Sequence, residues 1–291
     1  MAIYNLGSIN ADNAYLVPHH VAPGETLAAS ELTQGLGGKG ANMSVAAARA
    51  AARVVHIGAV GPEGRWASDR LLEYGVDTRH ISQVAVPTGH ANICIDPSGE
   101  NTIVLFAGAN RCISETMIGA ALSEASAGDS FVTQNETNGQ ADAAAMARSL
   151  GLRVIYAAAP FEAAAVKAVM PHLDLLVLNE VEAAQLATET GSNIGDLPVS
   201  DIVVTRGAKG CAWYCKALGN RTDFPAIPVD PLDTTGAGDT FTGYLIAGLD
   251  RGMPMAQAID LATRAGALMV TRVGTADVIP DLKEIQDWRL G

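Results

Sequence analysis

The sequence predicts an α/β fold: a mostly parallel central sheet covered by helices on both faces, with a small antiparallel β lid at its edge. Three observations carry that expectation. From about residue 53 onward, short apolar runs alternate with amphipathic stretches of helical period. The apolar runs are nearly continuous, as expected of strands buried on both faces in a parallel sheet. Two regions, about 10–36 and 84–107, break the rhythm with alternating, turn-rich segments too polar and too short to form a core alone.

Strands are expected at 53–61 (RVVHIGAVG), 130–134, 153–159, 175–180 and 201–207, and 211–215 reads as a further strand with its turn. Helices fill the gaps at 64–75, 114–126, 140–150, 161–170 and 180–188, and the Ala-rich stretch 44–52 is an ordinary helix former. The C-terminal third adds helices near 237–250, 254–272 and 281–289. Within 84–107 a hairpin is expected around Asp96-Pro97-Ser98-Gly99. The chain 1–291 is expected to form one domain, with regions 10–36 and 84–107 as its lid.

Composition narrows the function. Hydrophobic residues make up 48% of the 291 and aromatics only 5%, so a sizeable core is built mainly from Ala, Val, Ile and Leu. A formal net charge of −12 argues against a nucleic-acid partner, which needs a basic face. Small anionic ligands remain open, because helix N-termini and a few cations can hold them against the global sign. Cys94, Cys112, Cys211 and Cys215 show neither CxxC nor zinc-finger spacing, and reduced thiols are expected. No leader-like start and no window of membrane-spanning length is present, so a soluble, cytoplasmic protein without a membrane partner is expected.

The most informative stretch is DTTGAGDTF, 233–241, at the start of a helical pattern. Glycines there let the backbone curl so that several N–H groups point at one spot, and the helix dipole strengthens that anion hole. An acid beside a held anion suits one task, taking a proton from a hydroxyl that attacks a phosphoryl group. Asp239 is therefore a candidate base, with helix capping as the plain alternative. GLGGKG at 35–40 matches G-x-G-x-x-G, but no βαβ first strand precedes it, and Lys39 is followed by Gly rather than the Ser or Thr of a Walker loop.

Four blocks, GSINAD (7–12), GGKGAN (37–42), NEVEA (179–183) with TRGAKG (205–210), and DTTGAGDTF, resemble in order those of the ribokinase/PfkB carbohydrate kinase family, over nearly the whole chain. The resemblance implies a ribokinase-like three-layer α/β/α sandwich and an ATP-dependent sugar kinase, with D-ribose to ribose 5-phosphate as the leading reaction. Another sugar, a nucleoside, or a non-catalytic sugar-binding role are the alternatives. It implies that Asn10 and Asp12 bind sugar hydroxyls, that Gly38, Asn42 and Glu136 complete the pocket, and that Lys39 neutralises phosphate. Asp239 is the implied base, with Gly236, Ala237 and Gly238 as anion hole.

Asn179 and Glu182 are implied to position Mg²⁺ and phosphates, largely through water, although the same pair reads as a helix capping box. Thr205, Arg206, Gly207 and Gly210 are implied to run along the nucleotide and Thr263 to line the adenine. A monovalent cation, K⁺, is implied near Asp233, the Thr235 carbonyl and the backbone around Met269, Arg272 and Gly274. The family often pairs two copies through the lid, which implies a homodimer. The chain departs from the pattern at Val278, where a serine oxygen is common, at the short segment 188–201, and at Asn135, where an apolar residue is common.

Overall fold

A computed structural model describes residues 1–288. In chain order it contains β1 (Ala2–Leu6), β2 (Asn10–Leu16), β3 (Glu31–Gly37), α1 (Lys39–Arg49), β4 (Arg53–Val60), α2 (Arg65–Glu73), β5 (Ile81–Gln83), β6 (Gly89–Ile95) and β7 (Asn101–Phe106). There follow α3 (Glu115–Leu122), β8 (Ser130–Thr133), α4 (Gln140–Ser149), β9 (Arg153–Ala157), α5 (Ala163–Val169), β10 (Leu175–Asn179) and α6 (Glu180–Thr190). The chain continues through β11 (Asp201–Thr205), β12 (Cys211–Cys215), β13 (Asn220–Phe224), α7 (Ala237–Asp250), α8 (Met255–Met269) and α9 (Leu282–Asp287).

Nine strands form the large sheet in the order β13-β12-β11-β10-β9-β8-β1-β4-β5. It is parallel from β11 to β5, and β12 and β13 extend it as an antiparallel edge. Successive side chains of a strand point to opposite faces, and the core divides accordingly. Ile3, Val54, Val132, Ile155 and Val203 pack beneath α1, α2, α7, α8 and α9. Tyr4, Val55, Phe131, Tyr156 and Val204 pack on the other side beneath α3, α4, α5 and α6. Apolar runs without alternation are what two such faces require.

The small sheet has the order β3-β2-β6-β7. Its hairpins β2–β3 and β6–β7 are antiparallel, and a parallel β2–β6 pair joins them. β1, β8, β10 and β11 all release the chain at the same edge of the large sheet, the edge where open α/β sheets place their ligands.

Boundaries and some elements differ from expectation for identifiable reasons. β1 was not foreseen, because Asn5 interrupts its apolar run, and β5 and β13 are short and partly exposed. The helix expected at 44–52 starts at Lys39 and ends at Arg49, so within GGKGAN Gly37 ends β3, Gly38 is the N-cap and Lys39–Asn42 form the first turn. The helix expected over 254–272 stops at Met269, where the Val270 carbonyl turns to accept the amides of Leu232 and Asp233. The segment 161–170 is helical over Ala163–Val169 and tightens into a 3-10 turn at Met170–His172, at Pro171. α9 covers 282–287 of the expected 281–289, and residue 289 lies outside the described residues.

Candidate active site

The end of β1 and the first turn of α1 cross with almost no room between them. A Cβ on Gly40 would lie 2.3 Å from the Gly7 Cα, so both chains need glycine there. The crossing is hydrogen-bonded, with the Ala41 amide donating to the Ser8 carbonyl at 2.8 Å and the Gly40 amide to Ser8 Oγ at 3.1 Å. α1 has no side-chain cap from its own N-cap residue, Gly38. Glu136 supplies one instead from the loop after β8: its Oε2 accepts the Lys39 amide at 3.0 Å and the Ser8 hydroxyl. A carboxylate at a helix N-terminus is favoured by the dipole.

This seam gathers the expected sugar-binding residues. Asn10 starts β2 with its amide beside Gly38, and Gly37 packs against the Asp12 carboxylate so closely that any side chain would clash. Asn10 is buried, and its Oδ1 accepts from Asn110 Nδ2 at 2.8 Å. A cavity of about 70 Å³ opens between Asn10, Asn110, Asn135, Glu136, Pro160 and Leu105. Burial, with Glu136 and Asp239 nearby, pushes the Asp12 carboxyl up to about 6.

Asp239 stands in the first turn of α7, whose N-cap Gly236 adopts a left-handed φ of 73°. It is buried, and Asn42 Nδ2 donates to its Oδ2 at 2.9 Å. Burial raises its pKa to about 6, even though Lys39 and Asn42 pull it down. The Asp239, Glu136 and Glu182 charges in turn raise the Lys39 pKa, against the opposing effect of its burial. Among the described residues the amides of Gly236 and Gly238 have no hydrogen-bond partner, and that of Ala237 makes only a long 3.3 Å bond to the Thr234 carbonyl. Beyond its own helical turn, no atom lies within 4 Å of where a Gly238 Cβ would be.

Asn179 and Glu182 form a reciprocal capping box at the start of α6, at 2.8 and 2.9 Å. Glu182 is nevertheless buried, and burial raises its pKa although the Asn179 amide and Lys39 oppose this. Thr205 lies directly beside Asn179 in the β10–β11 register. The Arg206 guanidinium is committed to the protein, bonding the Cys211 carbonyl at 3.1 Å and pairing with Asp223 at 2.7 Å. Gly207 and Gly210 turn with left-handed φ of 53° and 85°, and a Cβ on Gly210 would lie 2.0 Å from the Phe224 carbonyl. Thr263 lies half-buried on α8, one turn before Gly266, which packs near the Ala237 carbonyl at the start of α7.

The expected cation loop is brought together. Asp233 accepts the Thr235 amide at 2.8 Å and the Gly274 amide at 3.1 Å. Burial pushes its carboxyl up, but the Thr235 amide and hydroxyl and the Gly274 amide together outweigh it and hold the pKa below the usual range. The Met269 carbonyl accepts the Arg272 amide, while the Arg272 side chain turns away to Glu284 and the Val278 carbonyl. Val278 presents hydrocarbon at Gly274, 3.5 Å from where a Cβ would stand.

Sequence reasoning missed Ser8 and Asn110 as site residues. Ser8 lies inside a quoted block, so a signal existed; Asn110 holds Ile9 and Asn10 across 101 and 100 residues and had none.

Residues 3–282 match the pfkB family carbohydrate kinase. A ribokinase of Haemophilus influenzae is 34% identical over 96% of this chain and 95% of its own length. Among solved structures, ribokinase from Cryptococcus neoformans in complex with ADP superposes with a TM-score of 0.83 at 31% identity, covering 98% of both chains. Ribokinase from Thermotoga maritima gives 0.85 at 29% identity, over 98% of this chain and 97% of the other. Coverage this complete at both fold and sequence level, on a site with a buried carboxylate beside an amide cradle, leaves one assignment: the chain belongs to the pfkB family of carbohydrate kinases and is a phosphotransferase with an alcohol acceptor.

Proposed function

We propose that this enzyme transfers the γ-phosphoryl group of ATP to the primary hydroxyl of D-ribose, giving ribose 5-phosphate. The observation that carries the reading is the placement of Asp239, buried and oriented by Asn42 in the same helical turn as the free amides of Gly236 and Gly238. The carboxylate accepts the hydroxyl proton as the oxygen attacks phosphorus, and the amides, with Ala237, stabilise the charge on the transferring group. Among the described residues Asn42 Oδ1 is buried without a hydrogen-bond partner, which suits a sugar hydroxyl as donor, and Asn10, Asp12, Gly38 and Glu136 complete the pocket. Lys39, raised in pKa among three carboxylates, stays charged and meets the phosphates.

The donor chemistry at Glu182 fits Mg²⁺ held largely through water: the carboxylate is buried and one oxygen is committed to the Asn179 amide. The ion supplies charge neutralisation to the phosphates when bound. Asp233 with the Thr235 and Met269 carbonyls offers an all-oxygen set suited to K⁺, with water replacing a side-chain oxygen at Val278. Thr205, Arg206, Gly207, Gly210 and Thr263 line the nucleotide path. The chain acts as one domain in which the small sheet closes over the sugar and excludes water, without which the same cradle would hydrolyse ATP. Relatives include deoxyribokinase of Salmonella typhi at 27% identity, so the deciding experiment is an ADP-release screen across pentoses, hexoses and nucleosides. D-Ribose giving the highest kcat/KM supports the reading; another sugar or a nucleoside doing so replaces it.

A further inference from the structure

Beneath the sugar pocket, four buried polar side chains outside the reaction form one continuous chain of hydrogen bonds. Gln134 Nε2 donates to Asn5 Oδ1 at 2.8 Å, and Asn5 Nδ2 donates to Ser44 Oγ and to the Gly40 carbonyl, both at 2.8 Å. Ser44 Oγ lies 2.8 Å from His56 Nδ1, and His56 Nε2 lies 3.1 Å from the Gly7 carbonyl. A carbonyl only accepts, so Nε2 carries the imidazole proton and Nδ1 accepts from the Ser44 hydroxyl. The direction of every bond is thereby fixed, running one way from the loop after β8 to the end of β1.

All four residues are at most 1% exposed. Apolar side chains would fill the same space without the cost of desolvating polar groups, so the chain must do something that packing does not. Its members sit one step behind the pocket. Gln134 is two residues from Glu136, Gly7 precedes Ser8 and Asn10, Gly40 and Ser44 belong to the helix that carries Lys39 and Asn42, and His56 joins them from β4. The glycine crossing of Gly7 and Gly40 has no side chain of its own to resist sliding; directional bonds to the carbonyls of those same two glycines supply the resistance.

We propose that His56 is a positioning residue: through Ser44 and the Gly7 carbonyl it fixes the β1 end, and with it Ser8, Asn10 and Asp12, against the helix bearing Lys39 and Asn42. Sugar affinity then depends on His56, and nucleotide affinity does not. The inference rests on the sugar-kinase reading above.

The test measures KM for D-ribose and for ATP, kcat, and thermal unfolding in His56→Phe, His56→Gln and Ser44→Ala. Phe fills the space without hydrogen bonds, Gln keeps an N–H within reach of the Gly7 carbonyl, and Ser44→Ala removes a single oxygen. The expected result is a KM for D-ribose raised about tenfold in His56→Phe and Ser44→Ala, the ATP KM within about twofold, and partial recovery in His56→Gln. An unchanged D-ribose KM in folded His56→Phe, or equal rises for sugar and ATP, overturns the inference. If His56→Phe does not fold, Ser44→Ala decides on the same split. A wild type without D-ribose-dependent ADP release overturns the substrate reading and the inference with it, whereas an active wild type with insensitive variants overturns the inference alone.

Discussion

Asn42 donates its amide to Asp239 at 2.9 Å, and both side chains are buried. The bond joins α1 to α7, the two helices whose N-termini carry the proposed phosphate-binding and proton-accepting groups. It also fixes the Asn42 amide, leaving its oxygen for a ligand.

Asp239→Asn keeps shape and removes the base. It is expected to lower kcat about a thousandfold while leaving D-ribose affinity within about threefold, read by ADP release and by calorimetry. Wild-type turnover in this variant would return Asp239 to the role of a cap.

The raised carboxyl pKa values are expected to set the acid limb of activity. Asp239, near 6, accepts a proton from substrate only when ionised, so kcat/KM is expected to be flat above that pH and to fall about tenfold per unit below it. Asp12 titrates in the same range. A pH profile of Asp12→Asn that keeps the limb assigns it to Asp239.

Gly238→Ala separates stability from activity. Beyond its own helical turn its Cβ meets no protein atom, and alanine favours the helix, so stability is expected to stay or rise by about 0.5 kcal/mol. The added methyl crowds the helical turn that carries the Gly238 amide, and kcat is expected to fall about tenfold or more. Urea unfolding beside ADP release checks both signs.

His56 gives a pH-dependent stability term. Its neighbours are the Ser44 hydroxyl and the Gly7 carbonyl, none charged, and burial holds its pKa down near 4. The unfolded chain takes up that proton near the ordinary imidazole value, so stability falls as pH drops from about 6.5 to 4 and then levels off. The full difference is about 3 kcal/mol by linkage. Urea unfolding of wild type against His56→Phe at pH 7.5 and 4.5 should show the gap closing at low pH.

β7 is an edge strand exposed along its whole length, with Ile103, Val104, Leu105 and Phe106 between 45% and 69% accessible. An apolar edge of this kind needs cover, and a second copy of the lid sheet is the expected source of it. Val104→Lys is expected to convert a dimer to a monomer in analytical ultracentrifugation; a wild type that sediments as a monomer would refute this.

What the sequence revealed followed from contiguity. Gly236, Ala237, Gly238 and Asp239 lie together, and α7 was bounded at 237–250 because its apolar face repeats with helical period. β1 was hidden because Asn5 breaks the apolar run, and Asn5 reads as an error in a strand until Gln134, 129 residues away, is placed beside it. The start of α1 was obscured similarly: GGKGAN is a poor helix opening until Glu136, 97 residues from Lys39, caps it. In 188–201 α6 ends at Thr190 and only a 3-10 turn at Ile194–Asp196 follows, in keeping with a shortened segment.

The parallel β2–β6 pair has a mechanical result. Each hairpin of the small sheet is rooted at both ends in the main body, by stems at Gly7–Ile9 from β1, Gly38 into α1, 84–88 from β5 and Ala107–Gly108 into a 3-10 turn, and the parallel pair locks the hairpins side by side. A plate on four stems tilts as one body rather than peeling strand by strand. Asn10 and Gly38 sit at the pivot, where travel is smallest, and the Gly99 tip sweeps farthest. A rim that swings to admit a sugar, while the proposed hydroxyl-reading residues at its base stay almost still, is the motion this rooting predicts.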